Sequence, residues 1–377
     1  MTITHARKMR IYPTVEQKQK IDITLNCCRF IYNKMIERNR KVYNRRKKHL
    51  NYYAMQNLLP RMKEYLPWLK DADSQALKYA CRQVNTAYDK FFKKLAKFPH
   101  YHNKKGRQSY TTTNSKQISV SPGMVQLPCL GWVKTSDRRD WGDSYHICYA
   151  TVSREPDGRY YVSVTYKTEI PDVDFNPDMN NIIGLDYKSD GLYMDSDGHL
   201  ADMPKYYRKA QKQLKKLMRQ LSKCKGYRKG EKQSNNFKKL LKRINKLYSH
   251  IANQRKDFLQ KLSTEIANRY DGVSIEDLNL RAIANKGFGN GKATNDNGYG
   301  MFITMLAYKL AERGKPLIKV DKWYPSSQVC CKCGHRQPMP VTVRTYKCPE
   351  RGNIMDRDLN AAINIRNEGI RLLTAAA

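Results

Sequence analysis

The chain has 377 residues, and its 71 Lys and Arg against 34 Asp and Glu give a formal net charge of +37. That length allows two or three domains with buried cores, and so large a positive excess is typical of a protein that binds a polyanion over a wide surface. A membrane surface could be that polyanion, but no apolar run approaches the ~18 residues of a membrane span and the N-terminus lacks the apolar region of a signal peptide. We therefore expect nucleic acid in the cytoplasm as the partner, and no membrane.

The first hundred residues predict one strand and then a set of helices. The strand occupies residues 1–12, and Thr14 with Gln17 forms a capping-box pattern that starts a helix. Apolar residues at helical spacing continue this helix at Ile21, Leu25, Cys28, Ile31 and Met35. A second helix is predicted over residues 74–95, with one apolar side made by Leu77, Ala80, Val84, Ala87, Tyr88 and Phe91. We therefore expect residues 13–100 to form a basic helical module.

Residues 101–176 instead alternate short β-type runs with turns. The clearest example is CYATVSREPDGRYYVSVTY, which predicts a hairpin with Pro-Asp-Gly at its turn, residues 156–158. We expect residues 1–12 and 101–176 to form a single β module that the helices interrupt. The acidic, proline-containing segment 171–181 is predicted to be the linker into the next domain.

Three acidic residues lie in short contexts that predict where each carboxylate is placed. Asp186 is in the buried strand IIGLDY, which a second strand, GLYMDS, and an SDG turn follow. Glu276 ends the strand-like run GVSIE. Asp358 lies near the start of a helix, because DRDLNAAINI has apolar residues at helical spacing. A helix N-terminus favours an ionised carboxylate by roughly 0.3–1 kcal/mol.

Two acids on strands and one on a helix, far apart in sequence, are what a two-metal phosphodiesterase needs. Such sites hold two Mg²⁺ ions about 3.5–4 Å apart, which activate a water and stabilise the leaving oxygen. Carboxylates suit Mg²⁺ because it is a hard cation. The alternative is that these are three ordinary surface acids among the 34 of the chain. Their strand and helix contexts favour the metal site.

A strongly basic segment follows the first of these acids. Residues 205–246 contain 17 Lys or Arg and a single acid, Glu231. Apolar residues at alternating spacings of three and four predict an antiparallel helical hairpin within residues 205–265. Its charges could be a solvated coiled-coil face, but one sign dominates so strongly that nucleic-acid contact is favoured. The candidate contact residues are Lys212, Lys215, Lys216, Arg219, Lys238, Lys239, Lys242 and Arg243.

A glycine-dense stretch, NKGFGNGKATNDNGYG, follows Glu276. Its glycines are Gly287, Gly289, Gly291, Gly298 and Gly300. We predict a mobile loop here, with a lid near the metal site and plain disorder as equal alternatives. No strand leads directly into the glycines, so a dinucleotide site is not expected. The next helix has one apolar face and ends at Gly314, and PLIKVDKW then predicts a core strand.

Three cysteines have the spacing of an incomplete zinc ribbon. Cys330 and Cys333 form a CxxC pair, and Cys348 follows, but Arg351 stands where a fourth cysteine would complete the set. Structural Zn²⁺ sites nearly always use four protein ligands, and a cationic Arg cannot replace a thiolate.

The missing fourth ligand leaves three possibilities open. The site could bind Zn²⁺ weakly with water, recruit Cys331 or His335 from an unusual offset, or remain a metal-free knuckle. We expect weakened Zn²⁺ binding. The other cysteines are predicted to be ordinary thiols of a reducing compartment, namely Cys27, Cys28, Cys81, Cys129, Cys148 and Cys224.

Taken together, these motifs resemble the TnpB family, the RNA-guided nucleases of insertion-sequence transposons that are related to type V CRISPR effectors. Six segments resemble the family's blocks in its order, namely KFPHYHNKKGRQSY, YYRKAQKQLKKL, ANQRKDFLQKLS, SIEDLNL, KWYPSSQVC and DRDLNAAINI. The resemblance covers nearly the whole chain, although the N-terminal third matches only loosely. The order Asp, Glu, Asp is also that of RuvC-type nucleases, whereas cut-and-paste transposases run Asp, Asp, Glu. The chain departs from the family at Arg351 and at Lys188, where a glycine is common.

The resemblance implies an α+β multidomain fold. A β-barrel-like wedge module, residues 1–12 and 101–176, would carry an inserted helical recognition lobe, residues 13–100. A ribonuclease H-like, or RuvC-like, nuclease domain would follow, formed by residues 180–323 and 356–377 and including the basic hairpin. A zinc-ribbon-like insertion, residues 324–355, would contact the target nucleic acid.

The function that the resemblance implies is RNA-guided cleavage of double-stranded DNA. A guide RNA derived from the transposon end would pair with a target that lies beside a short flanking motif. Asp186 would bridge two Mg²⁺ ions, while Glu276 and Asp358 would each complete the shell of one ion. We expect a monomer in the prokaryotic cytoplasm, associated with the nucleoid when bound to DNA. The alternatives are a nuclease-inactive, RNA-guided DNA-binding repressor and a transposase.

Overall fold

A computed structural model of the chain describes residues 2–46, 48–142, 145–169, 175–228, 230–284, 291–340 and 342–376. The chain divides into two compact units, Met1–Ile170 and Pro171–Ala377. Each unit combines helices with a β-sheet, so the expectation of an α+β multidomain fold is confirmed at this level. Within the described ranges, no helix has both the length and the apolar character that crossing a membrane requires.

The first unit contains seven described strands and four described α-helices. The strands are β1 (Thr2–Tyr12), β2 (Gln108–Thr112), β3 (Ser119–Ser121), β4 (Met124–Leu127), β5 (Gly131–Thr135), β6 (Tyr145–Arg154) and β7 (Tyr160–Glu169). The helices are α1 (Val15–Arg46), α2 (Tyr52–Gln56), α3 (Leu59–Tyr65) and α4 (Ser74–Phe92). Short 3-10 turns lie at Pro67–Asp71 and Ser115–Gln117.

All seven strands form one sheet in the order β2-β6-β7-β1-β5-β4-β3. The first strand pairs antiparallel with β7 from Thr2 opposite Glu169 to Ile11 opposite Tyr160, so the chain start and the later strands share one sheet. The predicted hairpin is β6 and β7, which pair antiparallel. Gly158 in its turn has a φ of 86°, a left-handed value that glycine adopts without strain.

The helices pack on this sheet through the apolar faces that the sequence predicts. The capping box is present, since the Thr14 N–H donates to Gln17 Oε1 at 3.0 Å and the Gln17 N–H donates to Thr14 Oγ1 at 3.3 Å. The predicted apolar residues of α1 and most of those of α4 are buried in one core with the sheet. Two helical segments and a sheet thus share a single hydrophobic cluster.

The second unit contains seven described strands and six described α-helices. The strands are β8 (Ile182–Tyr187), β9 (Tyr193–Asp195), β10 (Leu200–Ala201), β11 (Gly272–Glu276), β12 (Leu317–Val320), β13 (Thr345–Lys347) and β14 (Ile354–Asp356). The helices are α5 (Tyr206–Ser222), α6 (Asn235–Arg269), α7 (Leu280–Ile283), α8 (Gly291–Asn297), α9 (Tyr299–Ala311) and α10 (Arg357–Ala376). A 3-10 turn at Met179–Asn181 precedes β8.

Five of these strands form a mixed sheet in the order β10-β9-β8-β11-β12, and β13 pairs with β14 separately. The central strands β8, β11 and β12 are parallel, while β9 runs antiparallel to β8. Side chains alternate between the two faces of a strand. The apolar face, with Ile183, Leu185, Val273 and Ile275, is buried with residues of α6 and α9. The other face contacts α10.

The basic segment forms the predicted helical hairpin. Helices α5 and α6 pack together, and their shared core consists of Leu214, Leu221, Phe237, Ile244 and Ile251. Ser234 caps α6, since its Oγ accepts a 3.1 Å hydrogen bond from the Phe237 N–H. Helix α6 continues to Arg269, where it also packs against α9 and so joins the hairpin to the sheet.

The predicted mobile loop is wrong for the described part of the glycine-dense stretch. From Gly291 onward the chain forms α8 and then α9. The reason is a set of buried polar contacts: the Arg255 guanidinium donates to Asp296 at 3.0 Å, and Asn297 donates to the Ser189 carbonyl at 2.7 Å. Gly287, Gly289 and part of the predicted linker, residues 171–174, lie outside the described residues.

Candidate active site

Two neighbouring parallel strands end side by side at one edge of the five-stranded sheet. Asp186 is the fifth residue of β8, and Glu276 is the last residue of β11. Leu185 lies opposite Ile275 in the strand register, so each of these partners is followed by a carboxylate. Because side chains alternate, Asp186 and Glu276 point away from the apolar core, toward the face that α10 covers.

Small residues on this face let α10 approach closely. A Cβ on Gly184 would collide with the backbone of α10 at Ala362. On the adjacent strand, Ser274 Oγ donates a 2.8 Å hydrogen bond to the Ile365 carbonyl. Asp358 lies in the first turn of α10, and its charge acts on Asp186 together with that of Glu276. The structure therefore brings all three predicted acids together.

The two strand carboxylates share a partly buried setting. Burial and then repulsion from Glu276 and Asp358 raise the pKa of Asp186 well above its usual value, although the positive charges of Arg357 and Lys188 oppose that shift. Burial also raises the pKa of Glu276, against a hydrogen bond from Ser326. Among the described side chains, neither carboxylate has a cation at ion-pair distance. The raised pKa values mean that burial and mutual repulsion disfavour the ionised carboxylates, and a bound cation would oppose that effect.

Asp358 has the opposite surroundings, because three cations face it. Its carboxylate lies 3.0 Å from the Lys188 ammonium, 3.2 Å from the Arg357 guanidinium and 3.8 Å from that of Arg344. Burial alone would raise the pKa of Asp358, but the hydrogen bonds and charges of Lys188 and Arg357 outweigh it and lower that pKa. Asp358 is therefore held as an anion.

A loop that precedes the cysteines also reaches the site. Ser326 Oγ donates a 2.6 Å hydrogen bond to Glu276 Oε1. The buried side chain of Asn364 donates to the carbonyls of Ser326 and Val329 at 2.8 and 2.7 Å, and Asn360 donates to the Val329 carbonyl at 2.7 Å. The asparagines of DRDLNAAINI thus fix the loop that orients Glu276.

The cysteines form a tighter group than the carboxylates. In the described part of the chain, Cys330, Cys333 and Cys348 are the one set of three metal-ligand side chains whose ligand atoms all lie within 4.8 Å of one another. The Cys333 and Cys348 sulfurs are 3.5 Å apart, close to the ~3.8 Å of two thiolates on a tetrahedral Zn²⁺ with Zn–S near 2.3 Å. The spacing in sequence therefore predicts this cluster well.

The surroundings of Cys330 favour a thiolate. Burial opposes its ionisation, but amide hydrogen bonds from Lys332 and Cys333 and contacts with the other two thiols lower its pKa to about 7. Thiolates are the form in which cysteine binds metal ions. The cluster thus has the charge and spacing of a zinc ligand set with three members.

No fourth ligand joins the cluster among the described residues. Arg351 is exposed at the position where the fourth cysteine is missing. The Cys331 sulfur contacts Met355 Sδ at 3.5 Å, and His335 Nδ1 lies 3.7 Å from Glu350 Oε1. Neither candidate substitute joins the three sulfurs in this structure, which favours the weak site or the metal-free knuckle over a recruited ligand.

The basic hairpin presents its charges to solvent. The residues predicted to contact nucleic acid are all exposed, namely Lys212, Lys215, Lys216, Arg219, Lys238, Lys239, Lys242 and Arg243. Within the portion of the chain that the structure describes, none of the eight forms an ion pair with an acid. Those of α5 line one shallow groove together with Lys223. The structure thus provides a continuous cationic surface there.

Several site residues escaped the sequence prediction. Ser326, Arg344 and Arg357 contact the carboxylates, and Lys188 was noted only as a departure from the family pattern. Ser326 lies in the segment YPSSQ and Arg357 in DRDLN, and the resemblance of these segments to the family could have indicated both residues. Which carboxylate each would meet depends on the tertiary fold and could not be derived from spacing.

Three family models match parts of the chain. Residues 164–286 match the family described as "Probable transposase", OrfB_IS605. Residues 1–48 match the helix-turn-helix domain HTH_OrfB_IS605, and residues 299–365 match the Cas12f1-like TNB domain. The transposase match includes Asp186 and Glu276, and the TNB match includes Asp358.

Known proteins resemble the chain over nearly its full length. A protein of Streptomyces pristinaespiralis named as an RNA-guided DNA endonuclease is 31% identical over 378 residues, covering 98% of this chain and 90% of the relative. Escherichia coli K12 InsQ, named likewise, is 27% identical over 385 residues, covering 98% and 93%.

A solved structure has a similar fold. The Cas12f1 chain of a Cas12f1-sgRNA-target DNA complex matches with a TM-score of 0.56 at 13% identity, covering 97% of this chain and 99% of that one. At that identity the likeness concerns the fold alone. With the sequence relatives, however, it confirms the resemblance that the motifs carry: this chain belongs to the TnpB family, which is related to the type V CRISPR effectors.

Proposed function

We propose that the protein is an RNA-guided DNA endonuclease whose second unit contains a RuvC-like, ribonuclease H-like nuclease domain. The observation that carries this proposal is the meeting of Asp186, Glu276 and Asp358 at one edge of the mixed sheet. The full-length relatives, which are named as RNA-guided DNA endonucleases, support the activity and the partners.

The domain division predicted from the sequence is part of the proposal. The wedge-like module would comprise residues 1–12 and 101–176, with residues 13–100 as recognition lobe. The nuclease domain would comprise residues 180–323 and 356–377, with residues 324–355 as the zinc-ribbon-like insertion. The division of the chain into two units near residue 170 supports the boundary between the wedge-like module and the nuclease domain.

The carboxylate edge fits two Mg²⁺ ions. Its donors are hard oxygen atoms, which Mg²⁺ prefers, and a bound cation would offset the burial that raises the pKa values of Asp186 and Glu276 and the repulsion that adds to the shift at Asp186. Asp186, Glu276 and Asp358 would hold the two ions. When bound, two such metal ions supply an acidified water and stabilise the leaving oxygen of the phosphodiester.

The protein residues would position these ligands rather than transfer protons. Ser326 holds Glu276 through its hydroxyl, and Asn364 holds the backbone of Ser326. Close packing of α10 at Gly184 fixes the distance between the helix carboxylate and the strands. No side chain needs to serve as general base in this scheme.

The guide would be an RNA derived from the transposon end, and the target would be double-stranded DNA beside a short flanking motif. The net charge of +37 supports a large polyanionic partner. The exposed cations of α5 and α6 would contact phosphates, which positions a nucleic acid without reading its sequence. Specificity would then reside in base pairing with the guide.

The cysteine cluster would bind Zn²⁺ weakly. Its three thiols have suitable spacing, and the lowered pKa of Cys330 favours the ligating form. Three ligands are fewer than the four of ordinary structural zinc sites. Cys330, Cys333 and Cys348 would therefore hold the ion with help from water or lose it readily.

The decisive experiment exchanges guides and targets. Purified protein with its co-purifying RNA should cut a plasmid that matches the guide, and a new guide should redirect cutting to a new match beside the same flanking motif. Asp186→Ala, Glu276→Ala and Asp358→Ala should each abolish Mg²⁺-dependent cutting while retaining RNA and target binding. Cutting that follows the plasmid sequence whatever the guide, or that needs no RNA, contradicts the proposal.

The same experiment distinguishes two other functions. Guide-directed binding without cutting would identify a DNA-binding repressor, which the incomplete cysteine set mildly favours. Strand transfer rather than hydrolysis would identify a transposase.

A further inference from the structure

Lys188 contacts a carboxylate that the proposed mechanism assigns to a metal ion. It lies two residues after Asp186, and its ammonium is 3.0 Å from Oδ2 of Asp358. The Lys188 side chain is 28% exposed and that of Asp358 is 9% exposed. Solvent therefore screens this pair much less than an exposed surface salt bridge.

The backbone that carries Lys188 is fixed by several hydrogen bonds. The buried side chain of Asn297 donates to the carbonyls of Lys188 and Ser189 at 3.3 and 2.7 Å. The Lys188 N–H donates to the Leu192 carbonyl, and the Gly191 N–H donates to the Lys188 carbonyl. Since the turn is held on both sides, only the flexible side chain of Lys188 is free to move its ammonium.

This placement divides the site into two unequal halves. On one side, Asp186 and Glu276 have no described cation at ion-pair distance. On the other side, Lys188 and Arg357 already occupy the oxygens of Asp358. A metal ion that binds the first half displaces no cation, although Glu276 Oε1 already accepts from Ser326, whereas one that binds Asp358 must displace an ammonium.

We infer that Lys188 is an intramolecular competitor of the second metal ion, its ammonium holding the Asp358 oxygen until a divalent cation displaces it. This inference rests on the proposed function, because it takes the three carboxylates as metal ligands. Two ions should then bind in order, the first at Asp186 and Glu276 and the weaker second at Asp358. The lysine found where the family commonly has glycine would thus set the affinity of the second ion.

The test measures metal binding in the absence of nucleic acid. The full-length protein is titrated with Mg²⁺ in an isothermal titration calorimeter. Thiolates bind Mg²⁺ poorly, so the cysteine cluster does not contribute to the signal. Wild type should show two classes of sites. Lys188→Met should tighten the weaker class about ten-fold, equivalent to about 1.4 kcal/mol, and should tighten the other class less, because the charge of Lys188 acts on Asp186 without contacting it. Lys188→Gln provides a second neutral variant with a polar side chain.

Two controls isolate the effect of charge at this position. Lys188→Arg keeps a cation and should retain the wild-type isotherm. Lys319→Met removes a lysine that is also 3.0 Å from a carboxylate, Asp277, in an exposed pair beside the site. This variant should bind Mg²⁺ as wild type does, because Asp277 is not a proposed ligand.

Two results would overturn the inference. Unchanged isotherms in both neutral variants would show that Lys188 does not compete, and weaker binding would show that it assists the metal. Asp358→Asn should remove the weaker class, and if it does not, Asp358 is not a ligand and the inference also fails. If Asp358→Asn removes that class but guide exchange does not redirect cutting, the proposed function fails while the competition stands.

Discussion

The hydroxyl of Ser326 donates a 2.6 Å hydrogen bond to Oε1 of Glu276. Ser326 lies four residues before Cys330, and its carbonyl accepts from the buried Asn364 of α10. Ser326 therefore connects the second carboxylate with both the cysteine-containing segment and the helix that carries Asp358. Any change that shifts this segment should also move Glu276.

Removing this hydroxyl should impair the metal site without removing a metal ligand. Ser326→Ala should lower the cleavage rate about ten-fold and raise the Mg²⁺ concentration needed for half-maximal rate, because losing a partner of a metal ligand typically costs 10–100-fold. Ser326→Thr keeps the hydroxyl and should remain close to wild type. Single-turnover cleavage over a series of Mg²⁺ concentrations measures both quantities. Equal Mg²⁺ dependence in Ser326→Ala and wild type would exclude a positioning role.

The close approach of β8 and α10 should be sensitive to one added methyl group. Gly184→Ala places a Cβ against the α10 backbone at Ala362, and overpacking of this kind typically costs about 1–3 kcal/mol. We expect a lower melting temperature and slower cleavage, since α10 carries Asp358. At Gly191, the nearest atom to an added Cβ is 3.4 Å away, so Gly191→Ala is the matched control. Wild-type stability of Gly184→Ala would contradict the packing account.

Local sequence patterns predict much of this site because each carboxylate belongs to a short, regular element. IIGLDY and GVSIE are apolar because parallel strands are covered on both faces, and they form β8 and β11. The capping box at Thr14 and the hairpin turn at Gly158 are also local signals, and both are present. The cysteine spacing likewise predicts which three sulfurs meet.

Other features depend on partners that are distant in sequence. Residues 291–297 look like a loop by composition, yet they are helical because Asp296 pairs with Arg255 of α6. The pair of Lys188 and Asp358 likewise forms only when α10 packs against β8. Spacing along the chain holds no information about such contacts, so the prediction fails where tertiary charge pairs decide the local structure.

Completing the cysteine set should change the metal content. The purified protein should carry well under one Zn²⁺ per chain, and Arg351→Cys should raise that occupancy by supplying a fourth thiolate. Arg351→Ser removes the same cation without adding a ligand and should leave occupancy low. Elemental analysis of the three proteins gives the answer. A full equivalent of zinc in the unmodified protein would mean that another ligand completes the site.

The cations of α5 should determine affinity rather than choice of target. Lys215, Lys216 and Arg219 are exposed, and each phosphate contact contributes roughly 0.7–0.9 to the slope of log affinity against log salt. Replacing all three with Ala should weaken binding about equally on different targets and reduce that slope by about 2–3. Binding isotherms of the guide complex on two unrelated targets, each at several salt concentrations, provide both values.

A charge-conserving variant separates charge from side-chain shape at the same positions. Lys215→Arg, Lys216→Arg and Arg219→Lys together keep three cations on α5, and this triple variant should retain the wild-type salt slope. If the alanine variant instead weakens one target far more than the other, these residues read bases, contrary to the proposed phosphate contacts. If its affinity and slope equal those of wild type, the cations of α5 form a solvated face, because counterion release scales with the phosphates that a protein neutralises.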